Sequence, residues 1–138
     1  MSDDRSLEEI RAEKREQLMD EDTADDQAGS ETAPSEPIHI DGSAELDDTV
    51  GTYDVVLVDF YADWCGPCKM LEPIVEELAA ETDAAIGKVD VDANQRLARE
   101  YGVHGVPNLV LFADGEAVEQ ITGLREKETL AGLIDQYS

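Results

Sequence analysis

The chain has 138 residues, of which 34 are acidic and ten basic, giving a formal net charge of −24 at pH 7. Nucleic acid and anionic membrane surfaces are held by Lys/Arg patches, so this balance argues against both as partners. The length suits one domain, and no apolar run approaches the span of a bilayer.

Residues 1–37 hold thirteen acidic and four basic residues and no aromatic one. Ser6-Leu7-Glu8-Glu9 reads as a capping box, opening a charged helix from Leu7 to about Met19. Its apolar stripe, Leu7, Ile10 and Leu18, is too sparse to dock firmly. Asp20 to Pro37 reads as a disordered linker. Residues 1–37 are therefore expected to be an acidic N-terminal extension, disordered or loosely helical: a solubilising tail, or alternatively a partner-binding arm. The first twenty residues alternate acids and bases and show no signal-peptide core, so a cytoplasmic location is expected.

The expected domain, residues 38–138, is acidic in its own right, with 21 acidic and six basic residues. Such an excess opposes compaction by self-repulsion unless salt screens it. A halophilic source with a salty cytoplasm would supply that screening.

Within the domain, Ile38–Ile40 reads as a short strand. Ser43 is placed to cap a helix running to about Val50. Asp54–Tyr61 is β-branched and nearly all apolar, the pattern of a buried central strand. Cys68–Glu81 reads as a helix with Leu71, Ile74, Val75, Leu78 and Ala79 on one face, and Pro73 is expected to kink it. Ala85–Val91 reads as a strand, and Asn94–Tyr101 as a short helix closed by Gly102. Asn108–Ala113 and Glu116–Thr122 flank Asp114-Gly115, a hairpin signal. Glu126–Tyr137 reads as a last helix with Leu130, Leu133, Ile134 and Tyr137 inward. The order predicts an α/β fold: a mixed sheet, parallel at first and antiparallel at the hairpin, with helices on both faces.

The two cysteines lie in Trp64-Cys65-Gly66-Pro67-Cys68, between the strong strand and the helix after it. Cys65 then sits at a helix N-terminus, where free N–H groups and the helix dipole favour an anion, here the reactive thiolate. Cys68, one turn later, is near enough to complete a disulfide. Pro67 falls in the first turn, where its missing N–H costs little. A zinc site needs about four ligands, and His39 and His104 lie far from the pair and from each other, so no metal is expected. Two inert buried cysteines are the other reading, which the strand-to-helix position and the intervening Gly-Pro oppose.

The segment Val58-Asp59-Phe60-Tyr61-Ala62-Asp63-Trp64-Cys65-Gly66-Pro67-Cys68-Lys69 resembles the active-site segment of thioredoxins. The likeness continues through Lys88-Val89-Asp90-Val91-Asp92, Tyr101-Gly102-Val103, Gly105-Val106-Pro107, Leu111-Phe112, Asp114-Gly115 and Gly123. It implies the thioredoxin fold over residues 38–138 and a protein-disulfide reductase working through a Cys65–Cys68 couple. By this resemblance Cys65 attacks, as the exposed member of the pair, and Cys68 resolves. Asp59 is the buried acid beneath them, with a proton affinity raised by desolvation, and Lys88 is its neighbour. Pro107 is a cis-proline facing the disulfide. Trp64, Gly66, Pro67, Val106, Pro107 and Gly123 form the surface that clients touch. The resemblance further implies disulfide-containing client proteins, a thioredoxin reductase that restores the dithiol, a monomer, and no cofactor.

Three positions depart from the family pattern: Asn108 replaces a usual Thr, His104 a common Arg, and Tyr61 a frequent Trp. Two alternatives share the fold: a disulfide isomerase or oxidase, and a non-enzymatic binding module. Gly66-Pro67 is the thioredoxin pair and opposes the first. The full set Asp59, Cys65, Cys68 and Pro107 opposes the second.

Overall fold

A computed structural model describes residues 32–138. The helix read over Leu7–Met19, and the linker read from Asp20 as far as residue 31, lie outside the described residues. Nine elements follow in order: β1 (Ile38–His39), α1 (Ser43–Thr52), β2 (Val55–Tyr61), α2 (Gly66–Glu81), β3 (Ala85–Asp90), α3 (Gln95–Glu100), β4 (Asn108–Ala113), β5 (Glu116–Thr122) and α4 (Lys127–Tyr137).

The strands form one sheet in the order β1-β3-β2-β4-β5. β3 runs parallel to both β1 and β2, while β4 runs antiparallel to β2 and to β5. This is the mixed sheet that the element order predicts. Central β2 is buried on both faces, which is why its sequence is nearly all apolar rather than alternating. Its residues still divide by face. Val55 and Leu57 pack with Leu71, Val75 and Leu78 of α2 and with Leu130 and Ile134 of α4. Val56, Val58 and Phe60 pack on the other side with Leu46 of α1 and Leu97 of α3. Side chains in a strand alternate, so Asp59 and Tyr61 belong to the face that carries α2. On β3 the same face holds Ile86 and, two residues on, Lys88. Ala33, ahead of β1, packs against the α1/α3 layer.

Local chemistry ends the elements where expected. Gly102 has φ 67°, and its N–H donates to the Arg99 carbonyl while that of Val103 donates to Ala98. These are the two bonds of a Schellman closure, which needs a left-handed residue at this point. Asp114 and Gly115 both have positive φ, as a two-residue hairpin turn of type I′ requires. Helix α2 passes through Pro73, whose ring nitrogen cannot donate to the Lys69 carbonyl.

Two expectations are corrected. Ser43 is not the cap of α1: Gly42 is the cap residue, and it makes no side-chain cap bond. Its N–H donates instead to Asn94 Oδ1 at 2.8 Å, and the Asp41 N–H donates to Glu45 Oε1 at 2.8 Å. The start of α1 is thus fixed by an amide from the distant α3 turn, a tertiary contact invisible to local pattern. Tyr137 does not point inward. It is 36% exposed in the last turn of α4, and its hydroxyl donates to Glu119 Oε2 on β5.

Leu71 is fully buried between α2 and the sheet. Leu71→Ala should lower the unfolding free energy by about 3 kcal/mol in urea denaturation, as a large-to-small change in a packed layer does.

Candidate active site

Helix α2 starts two residues earlier than its apolar face suggested, and this places the cysteines. Cys65 is the N-cap, with extended backbone at φ −95° and ψ 114°, and its Sγ accepts the Cys68 N–H at 3.1 Å. Sulfur here takes the place of the usual capping oxygen. Gly66 and Pro67 occupy the first turn and are exposed. Cys65 and Cys68 are joined in a disulfide with Cα atoms 5.2 Å apart. A helix N-terminus and a donated N–H are surroundings that favour a thiolate over a thiol.

The sequence reading made Cys65 the exposed member of the pair, and this is corrected. In the disulfide state Cys65 is 4% exposed and Cys68 2%. Both sit in a small apolar cluster with Ala62, against which Tyr61, Val91 and Val106 pack. Trp64 beside them is 71% exposed, and its indole Nε1 donates to Asp92 Oδ2 at 2.9 Å.

The Val106–Pro107 bond is cis, and Val106 packs directly on the cysteine cluster. Pro107 is buried, and its carbonyl accepts the Gly123 N–H at 2.8 Å. Gly123 has φ 99°, so the turn after β5 is brought against the cis-proline by a residue that tolerates that backbone. Val106 thus lies against the cysteine cluster, and Gly123 is tied to the proline beside it.

Asp59 and Lys88 lie on the sheet face beneath α2. They stand directly opposite each other across the β2–β3 pairing. Asp59 is fully buried, and neither carboxylate oxygen has a hydrogen-bond partner among the described residues. Its pKa is raised from 3.8 to about 7: burial pushes it up most, the Lys88 charge pulls it down, and the Glu72 charge pushes it up. Tyr61 links this group to the disulfide: it shares the face of Asp59 and packs against the cysteine cluster.

Sequence reasoning missed several residues here. Lys88 Nζ lies 3.7 Å from Glu72 Oε2 and 4.7 Å from the centroid of the Tyr61 ring. Helical spacing alone could have found Glu72, four residues after Cys68 and so on the same side of α2. Asn108, where the resemblance expected Thr, is buried. Its Nδ2 donates to Thr122 Oγ1, and its Oδ1 accepts from Gln120 Nε2, which also donates to the Tyr101 carbonyl. The substitution thus ties the strand after Pro107 to the end of α3. Among the described residues, no group of three or more His, Cys, Asp or Glu is arranged to hold a metal ion, and no helix is long and apolar enough to cross a membrane.

Residues 38–136 match the family model described as Thioredoxin. A thioredoxin of Chlamydia pneumoniae is 46% identical over 97 residues, covering 70% of this chain and 95% of its own length. Among solved structures, a mutant thioredoxin from Halobacterium salinarum NRC-1 superposes with a TM-score of 0.76 at 59% identity, covering 78% of this chain and 96% of that one. Schistosoma mansoni thioredoxin is similar at 30% identity and a TM-score of 0.69, covering 77% and 99%.

The buried acid has a measurable cost. The unfolded chain releases the Asp59 proton near pH 4, whereas the native protein holds it to about pH 7. Asp59 therefore favours folding below pH 4, and that contribution is lost as pH rises through 7. In the disulfide form, Asp59→Asn should gain stability over the parent between pH 4 and 7 and level off above, by up to about 4 kcal/mol. Urea denaturation at pH 5 and pH 8 checks this; an equal difference at both would contradict it.

Proposed function

The chain belongs to the thioredoxin family and is a protein-disulfide oxidoreductase; from that premise we propose how its residues share the reaction. The Cys65 thiolate attacks a client disulfide. The client S–S bond breaks, a mixed disulfide forms on Cys65, and one client thiolate leaves. Cys68 then passes its thiol proton to the Asp59 carboxylate and attacks the Cys65 sulfur. The Cys65–Cys68 disulfide closes, and the second client sulfur leaves as a thiolate that takes up a proton. Two electrons have moved from the Cys65/Cys68 dithiol to the client.

The observation that carries this assignment is the Asp59 carboxylate. It is buried without a partner, on the face that α2 covers, and has a pKa of about 7. A base poised near the working pH can accept a proton and return it. Lys88 tempers the burial and keeps the ionised form within reach. Trp64, Gly66, Pro67, Val106, Pro107 and Gly123 form the surface that receives the client. The backbone at Val106 pairs with an extended client segment, as added strands do elsewhere. A thioredoxin reductase of the reducing cytoplasm restores the dithiol.

Residues 38–138 are the redox domain under this reading, and residues 1–37 an acidic extension outside it. The surplus of acids in both parts suits a salty cytoplasm, and the likeness to the Halobacterium protein supports that setting. Raising salt from low to molar concentration should therefore raise the melting temperature, through screening of like charges. An unchanged melting temperature would rule this setting out.

Insulin reduction with dithiothreitol tests the chemistry. Cys65→Ser should run at the rate of dithiothreitol alone, and Cys68→Ser should accumulate client bound covalently to Cys65. Asp59→Asn should slow resolution of that mixed disulfide near pH 7 by on the order of a hundredfold. A Cys65→Ser protein as fast as the parent would sink the assignment.

A further inference from the structure

Lys88 is placed to neutralise Asp59, yet it does not bond to it. The two face each other across β2 and β3, and both Asp59 oxygens remain without a partner. The Lys88 side chain, 11% exposed, carries its ammonium over the Tyr61 ring and to within 3.7 Å of Glu72 Oε2. Glu72 stands on α2 one turn beyond Cys68, with its side chain 49% exposed. A cation shared with an aromatic face and a second carboxylate is less available to the first.

We propose that Glu72 is a positioning residue for the exchange reaction: it holds the Lys88 ammonium on α2 and so keeps that cation from pairing with Asp59. The inference rests on the proton-relay reading of Asp59 given above. Without Glu72, the flexible Lys88 stem is free to turn its ammonium to the buried carboxylate. Asp59 would then be a fixed ion-pair partner, ionised over most of the working range, and a weaker base for the Cys68 proton.

The other charged or titratable groups on this face are few. Tyr61 and Asp90 pair across β2 and β3 beyond Lys88, and Asp63 follows β2. Cys65 and Cys68 close the end of α2, and opposite Asp59 on β4 stands the apolar Leu109. Asp90, Asp63, Asp59 and Glu72 all act on the Tyr61 phenol in the same direction as its burial, raising its proton affinity. Lys88 is the one cation among these groups, and its charge is the one that lowers the Asp59 proton affinity.

The test is the Asp59 titration in the disulfide form, where no thiol interferes, followed by carbon NMR of labelled aspartate carboxyls. The Asp59 signal is assigned by its loss in Asp59→Asn. Glu72→Gln should move the Asp59 midpoint down by roughly half a unit. Lys88→Met should abolish most of that shift, so that Lys88→Met and Lys88→Met/Glu72→Gln titrate together. An unmoved midpoint in Glu72→Gln would overturn the inference. An equal shift with and without Lys88 would overturn it too, since Glu72 would then act through its own field.

The pH profile for resolution of the mixed disulfide separates this from the reading it rests on. If the Asp59 midpoint moves and the profile follows, both stand. If the midpoint moves and the profile does not, Glu72 still positions Lys88, but Asp59 is not the proton relay.

Discussion

An acid buried in the middle of a sheet, with no donor bonded to it among the described residues, is the constraint that orders this site. Removing a carboxylate from water is expensive, and a protein usually answers with a bonded partner or by keeping the group neutral. Here β2 is enclosed on both faces and paired on both edges, so Asp59 has no route to solvent. The cost is met by protonation, which gives a side chain that changes charge near neutrality. Its surroundings then set how readily the charge appears: Lys88 across the sheet favours it, and Glu72 on the helix opposes it. If Asp59 is the proposed proton relay, stability and chemistry pull in opposite directions at this one residue.

Most of the fold was legible because its elements carry strong local patterns. β2 announces itself by an apolar run, the hairpin by Asp114-Gly115, and the end of α3 by Gly102. The cysteine pair is legible for the same reason, since its meaning comes from standing between a strand and a helix. What failed to show depends on long-range contact. Gly42 is fixed by Asn94, more than fifty residues away, so Ser43 looked like a cap without being one. Tyr137 fits the helical stripe of α4 but stays partly exposed, its hydroxyl donating to Glu119 of β5 rather than entering the core. Cys65 looked exposed because a nucleophile must be reached. In the disulfide state, the packing of Tyr61, Val91 and Val106 covers it. Glu72 looked like one more surface acid in a sequence full of them.

Two segments distant in sequence come together beside the cysteines, held by hydrogen bonds as well as by packing. The cis-proline turn is tied to the end of β5 through Gly123. The strand that follows it is tied to α3 through Asn108 and Gln120. Asn108 reaches two partners at once, and its substitution for the family's usual Thr extends the anchoring to another element.

The rims of the sheet carry a last consequence. One edge strand, β1, is only two residues long, and the other, β5, bears Glu116 and Glu119 beside an irregular step in its pairing with β4. Short, acidic and uneven edges are poor templates for another strand. An extended foreign chain therefore finds little to zip onto along the perimeter. On the reading proposed for Val106, it finds usable backbone beside the disulfide. Adhesion and electron transfer are thereby confined to one spot, and a polypeptide that offers no reducible bond there has little reason to stay.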